Sequence, residues 1–131
     1  MKVTRFDRRR GTIVVRARIW SPRRHVLLSL AVDTGAVETV VTPEIVESLG
    51  YHPRDGERIT TVRSAIGEEH GYTLRVARFS ALGFTAPDCR IHVFDLATGD
   101  DIDGLIGLGF LDRFNYEVRS NDRRLRVERA G

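Results

Sequence analysis

The chain is 131 residues long, enough for about one domain, and its 41% apolar composition allows a modest core. With 30% charged residues it fits neither a disordered nor a membrane-embedded chain, and no apolar run nears the ~20 residues that a spanning helix requires. The net charge is +3, but the arginines fall in scattered groups (Arg8-Arg9-Arg10, Arg23-Arg24, Arg123-Arg124) balanced by 18 acidic residues, so nucleic acid is not expected as the main partner.

The charged start, Met1 to Arg10, is followed by no apolar leader core, because Arg16 and Arg18 interrupt the first hydrophobic stretch; no secretory leader is expected, and the expected location is cytoplasmic. Alternation dominates from there. Ile13–Ile19 and His25–Val32 read as two strands joined across Pro22-Arg23-Arg24, with Trp20 and Pro22 as packing and turn residues. A short strand is expected at Glu38–Val41. Thr42-Pro43-Glu44 then offers an N-cap, a first-position proline and a first-turn acid for a helix running to about Leu49, with Gly50 as its stop. Further strands are expected at Arg58–Val62, Tyr72–Phe79 and Cys89–Phe94, with a turn at Gly67 and a solvated turn at Glu68-Glu69-His70. Asp100–Asp103 reads as a polar loop. The apolar strand Ile102–Gly107 precedes a short helix over Leu108–Phe114, and a final hairpin joins Phe114–Val118 to Leu125–Glu128 across Ser120-Asn121-Asp122. No linker, low-complexity tract or repeat divides the chain, which predicts one mostly β domain over residues 1–131 with one or two short helices.

Two segments bear chemistry. The apolar run Leu27–Val32 ends in Asp33-Thr34-Gly35-Ala36, so a strand delivers a carboxylate to a tight turn in which Gly35 permits close backbone approach. Some seventy residues later Leu105-Ile106-Gly107 closes a second apolar strand. Together, and in this order, the two resemble the retroviral-type (retropepsin-like) aspartic proteases, in particular their small bacterial single-domain relatives, across nearly the whole chain.

The resemblance implies a closed, β-barrel-like fold and an aspartic endopeptidase in which two aspartates share a proton and activate a water. One carboxylate takes the proton from water while the other, protonated, polarises the peptide carbonyl; two carboxylates ~3 Å apart cannot both be charged. This chain has a single D-T-G, so the resemblance implies that the second aspartate is Asp33 of another copy, which makes a homodimer the active form. By position, Asp33 is the catalytic residue, Thr34 locks the two loops across the axis, and Gly35 presents its carbonyl to substrate, with Ala36 completing the loop. Leu105 lines a substrate pocket, Ile106 is buried, and Gly107 lets its strand pass close to the loop. Ala65, Ile66 and Gly67 belong to a flap hairpin, Ser64–Glu68, that covers bound peptide.

No cofactor or metal is expected: the four histidines lack metal-ligand spacing, and lone Cys89, a small buried hydrophobe, can form neither an intramolecular disulfide nor a thiolate zinc site. Two positions depart from the retroviral pattern. Val37 and Leu108 stand where an acid and an arginine commonly brace the dimer, and replacing both partners strands no buried charge. Bracing is instead expected from Leu125–Glu128 pairing with its symmetry mate, unless neighbouring arginines hold the copies apart. Asp103, beside Leu105, is expected to place negative charge at the cleft edge. The rival reading is a non-catalytic module of the same fold that binds extended peptide or dimerises.

Overall fold

The structure, a computed structural model, describes residues 1–9, 11–64, 67–96 and 101–131. Its long strands follow from the alternation. In β3 (Thr12–Trp20), Val15, Ala17 and Ile19 turn inward while Arg16, Arg18 and Trp20 turn out, and β4 (His25–Val32) pairs with it from Val14↔Ala31 to Trp20↔His25.

Ahead of them lie two short strands absent from the sequence reading, β1 (Lys2–Arg5) and β2 (Asp7–Arg9). The chain continues through β5 (Val40–Val41), α1 (Pro43–Ser48), a 3-10 turn (Pro53–Asp55), β6 (Arg58–Ser64), β7 (Gly67–Ala81), β8 (Phe84–Val93), β9 (Gly104–Ile106), α2 (Leu108–Leu111), β10 (Phe114–Arg119) and β11 (Arg124–Arg129). Thr42 does cap α1, but with its backbone extended and no side-chain capping bond; Pro43 and the Gly50 stop, at φ +91°, set the helix ends. Glu68-Glu69-His70 is not a turn: it lies within β7, paired with Thr61–Arg63 of β6.

The main sheet runs β2-β3-β4-β9-β5-β8-β7-β6, and β3 pairs again with β7, from Ala17↔Ala81 to Trp20↔Arg78. That second pairing turns the sheet into a ring. The core fills it: Ile19, Leu28, Leu30, Val41, Leu74, Phe79, Ile91 and Ile106 are all nearly inaccessible. The helix α2 closes one side with Phe110 and Leu111, Phe110 meeting Phe79 edge-on at 5.0 Å. Among the described residues no helix is long and apolar enough to cross a membrane.

The second sheet corrects an expectation. It runs β1-β11-β10, so Leu125–Glu128 sits in the centre with both edges occupied within the same chain, by Lys2–Arg5 on one side and Phe114–Arg119 on the other. The C-terminal strand is therefore not available to a symmetry mate. The edges of this sheet are β1 and β10. On β10, Tyr116 and Val118 lie opposite buried Val127 and Leu125 yet remain 37% and 41% exposed, leaving apolar surface beside a strand edge.

Candidate active site

Two β-segments distant in sequence build the site. Strand β9 inserts between β4 and β5, parallel to the first (Ala31↔Leu105, Val32↔Ile106) and antiparallel to the second (Val40↔Leu105). The chain leaving β4 must therefore loop over the end of β9 to reach β5, and the loop carries Asp33-Thr34-Gly35-Ala36.

Its backbone is clamped from below. The Asp33 amide donates to the Ile106 carbonyl at 3.0 Å, and the Ala36 amide closes the turn on the Asp33 carbonyl at 3.2 Å. Helix starts carry amides without intrahelical acceptors; here the Leu108 and Gly109 amides donate to the Ala36 and Val37 carbonyls, each at 2.8 Å. Gly107 completes the clamp by donating to Thr39 Oγ1 at 3.3 Å, within the core. A Cβ on Gly107 would strike the Glu38 carbonyl and come within 2.9 Å of the Ala36 carbonyl oxygen. Only glycine fits. Where the retroviral pattern has an ion pair, Val37 and the segment at Leu108 are joined by main-chain bonds.

The Asp33 carboxylate is partly exposed, and its Oδ1 accepts from the Gly35 amide at 2.8 Å, its one side-chain partner among the described residues. A Cβ on Gly35 would lie 3.2 Å from that oxygen, a tight contact that the carboxylate would have to relieve by shifting. Thr34 and Gly35 are exposed, with Ala36 partly buried.

Strand periodicity orders the surrounding surface. Ala31, Leu105, Val40 and His92 are successive cross-strand partners, all on the face opposite to the one that carries Val32, Ile106, Val41 and Val93, and Asp33 continues the parity of Ala31. Leu105 and Val40 are partly buried, whereas Ile106 is fully so. Beyond Val40, Glu38 lies 3.5 Å from His92 Nε2, and the His92 ring stacks on Phe94. Sequence reading missed Thr39, Glu38 and His92; only the register shows that they adjoin the loop.

Asp103 makes contacts that the sequence reading did not anticipate. Its Oδ2 accepts from the Ser29 amide at 2.8 Å, its own amide donates to the Ser29 carbonyl, and its carbonyl accepts from the Thr42 amide. The carboxylate fastens β4 to the start of β9, two residues short of Leu105. Of the flap residues, Ala65 and Ile66 lie outside the described residues; Gly67 pairs with Ser64 at the end of the β6–β7 hairpin. Burial, against the pull of Arg113 and Arg75, pushes the Cys89 thiol above its ordinary range, as expected for a hydrophobe rather than a nucleophile.

Compared with known proteins, the sequence profile of the aspartyl protease family matches residues 24–110, a span that holds Asp33–Ala36 and Leu105–Gly107. The chain belongs to the aspartyl protease family. Its fold is shared with a retropepsin-like aspartic protease from Rickettsia conorii (TM-score 0.69, 23% identity, 98% of this chain and 99% of that one). It is shared also with the retroviral protease-like domain of Ddi1 from Leishmania major (TM-score 0.60, 20% identity, 97% and 90%). EIAV protease, solved with an inhibitor, aligns over 66% of this chain and 75% of its own with TM-score 0.50 and 22% identity. A curated relative is the large ribosomal subunit protein uL1 of Thermobifida fusca, 32% identical over 133 residues; the match takes in all of this chain, which spans about half the length of that relative, 54%. The aspartyl protease fold thus confirms the mostly β, two-helix architecture expected from the sequence, its sheet closed into a ring by β3 and β7.

Proposed function

We propose that this aspartyl protease family member is an endopeptidase that hydrolyses peptide bonds as a homodimer in the cytoplasm, its water activated between Asp33 of one copy and Asp33 of the other. The observation that carries the reading is the Asp33 loop itself: one partly exposed carboxylate, fixed by the Gly35 amide and clamped through Ile106, Leu108 and Gly109, with no second carboxylate bonded to it among the described residues.

Acid–base hydrolysis needs two such groups in different protonation states. A two-fold axis beside the loop supplies the second. The exposed Thr34 hydroxyl is free to cross that axis and tie the loops together, and Gly35 presents its carbonyl to the substrate main chain. Leu105, with Val40 and Ala31 beside it, lines an apolar side-chain pocket, and a flap formed by the β6–β7 hairpin, to which Ala65, Ile66 and Gly67 are assigned, covers the peptide and excludes water. Ile106 and Gly107 hold the loop in place from below. The open edge of β10, with Tyr116 and Val118, offers the copies a surface for association that β11 cannot.

The test is cleavage of a diverse peptide library from mildly acidic to neutral pH, wild type beside Asp33→Asn, both at concentrations that populate dimers. Cuts made by the wild type alone support the reading. Equal cutting by a clean Asp33→Asn preparation overturns the assignment, and no cutting by a verified wild-type dimer overturns the enzyme in favour of a peptide-binding module.

A further inference from the structure

The chain's 18 acidic residues all lie outside two stretches, Thr12–Val32 and Gly71–Pro87. The fold makes those stretches neighbours: β3 takes β4 on one edge and the second half of β7 on the other. The result is a wall of three adjacent strands that bears Arg16, Arg18, His25 and Arg78 on its outward face and no carboxylate. Register aligns them in rows. His25, Trp20 and Arg78 lie side by side, and in the next row Leu27, Arg18 and Ser80.

None of these arginines has a carboxylate within salt-bridge distance among the described residues, whereas Arg75 and Arg90, elsewhere on the sheet, share Glu57. Arg18 instead bonds the His25 ring at 2.9 Å, and both Arg78 and Arg18 sit over the Trp20 indole, at 4.7 and 5.7 Å. Beside the rows runs a groove of about 270 Å³, rimmed by Arg16, Arg18, Thr4 and Ser80 and walled by Leu27, which is 50% exposed although it lies mid-strand. An apolar side chain of leucine size fits such a groove, with guanidinium groups at its rim to meet flanking negative charge.

We propose that this wall is a docking surface for an acidic polypeptide segment carrying an apolar residue: the apolar side chain enters the groove against Leu27, and its acidic neighbours pair with Arg16, Arg18 and Arg78. Polypeptide fits better than nucleic acid because the guanidinium groups of Arg78 and Arg18 already lie over the Trp20 ring, where a stacking base would have to displace them. The surface is separate from the Asp33 loop. Leu27 lies on β4 and Asp33 follows directly after its end, six residues on and about 20 Å away at ~3.4 Å per residue, so a segment held here is not the one lying across the catalytic loop. Docking of this kind fixes which proteins are held near the site and leaves the cleavage preference to the cleft.

Trp20 is the chain's one tryptophan and lies inside the wall, so its emission reports occupancy. The assay titrates the Asp33→Asn protein, which cannot consume the probe, with a synthetic peptide of Asp and Glu around one central Leu. Anisotropy of the labelled peptide gives a second readout that is independent of the indole. The expected result is saturable binding that weakens with salt, weakens about tenfold or more in Arg16→Ser/Arg18→Ser, and weakens severalfold in Leu27→Ser or when the peptide's Leu becomes Ser. The proposal is overturned by no saturable binding, by equal binding of a Lys-for-acid control, by an unchanged Kd in the wall variants, or by binding of poly(U) in preference to the acidic peptide. Because binding is read without cleavage, failure here leaves the proposed peptidase activity standing, and loss of that activity leaves this result standing.

Discussion

Removing the Asp103 carboxylate separates its structural role from the charge expected of it at the cleft. Its Oδ2 takes the Ser29 amide at 2.8 Å in a partly buried setting, and a hydrogen bond to a charged group contributes about 1.5–3 kcal/mol. Asp103→Ala leaves the Ser29 amide without its acceptor and should lose that amount. At ~2.1 cal/mol/K of unfolding entropy per residue the whole chain has about 0.28 kcal/mol/K, so the Tm should fall by roughly 5–11 °C. Asp103→Asn keeps an acceptor oxygen and should fall by less than half as much. Thermal melts at fixed protein concentration measure this, the concentration being fixed because association alone shifts Tm. If Asp103→Ala melts like the wild type but loses cleavage of peptides with basic residues, the fastening role is wrong and the cleft-edge charge is right.

Gly107→Ala should destabilise by about 1–3 kcal/mol and lower kcat/KM, because the new Cβ meets main-chain carbonyls of the Asp33 loop that cannot yield without breaking the Leu108–Ala36 bond; wild-type melting and kinetics would refute the clamp. Burial raises the thiol of Cys89 above its ordinary 9.0 and the hydroxyl of Tyr72 above its ordinary 10.0, the second helped by Glu47 and Asp55. Both groups keep their protons longer when folded, so their contribution is complete below about pH 9 and is lost as pH rises through the folded values. Melts taken at rising alkaline pH should show falling Tm, with a shallower fall in Tyr72→Phe. Cys89 should react with a disulfide reagent only as fast as the protein opens; rapid reaction in the native state would contradict its burial.

Much of this architecture could be read along the chain. The alternation of Val15, Ala17 and Ile19 with Arg16, Arg18 and Trp20 fixes a strand and its inward face, and Thr42-Pro43 with Gly50 bounds a helix. The pairing of Asp33–Ala36 with Leu105–Gly107 is read from letters because each glycine answers a contact: Gly35 beside its carboxylate, Gly107 beneath the loop. What the sequence concealed are the effects of long-range pairing. Lys2–Arg5 becomes a strand only because β11 lies beside it, and β8 begins at Phe84 although Pro87 and Asp88, the latter at φ +46°, carry the marks of a turn. Closure through β3 and β7 gathers Arg18 and Arg78 onto one wall, whereas along the chain the arginines look scattered. The central position of β11 likewise could not be inferred from Leu125–Glu128 alone, and it moves the question of association to β10.

The central claim is that one site is built from two copies. Wild type and Asp33→Asn, exchanged to equilibrium at constant total concentration, test it through the activity left in the mixture. A site that needs Asp33 from both copies gives activity that follows the square of the wild-type fraction, about one quarter in an equal mixture. Activity that follows the fraction linearly, about one half in that mixture, would mean that each chain acts alone and would contradict the account.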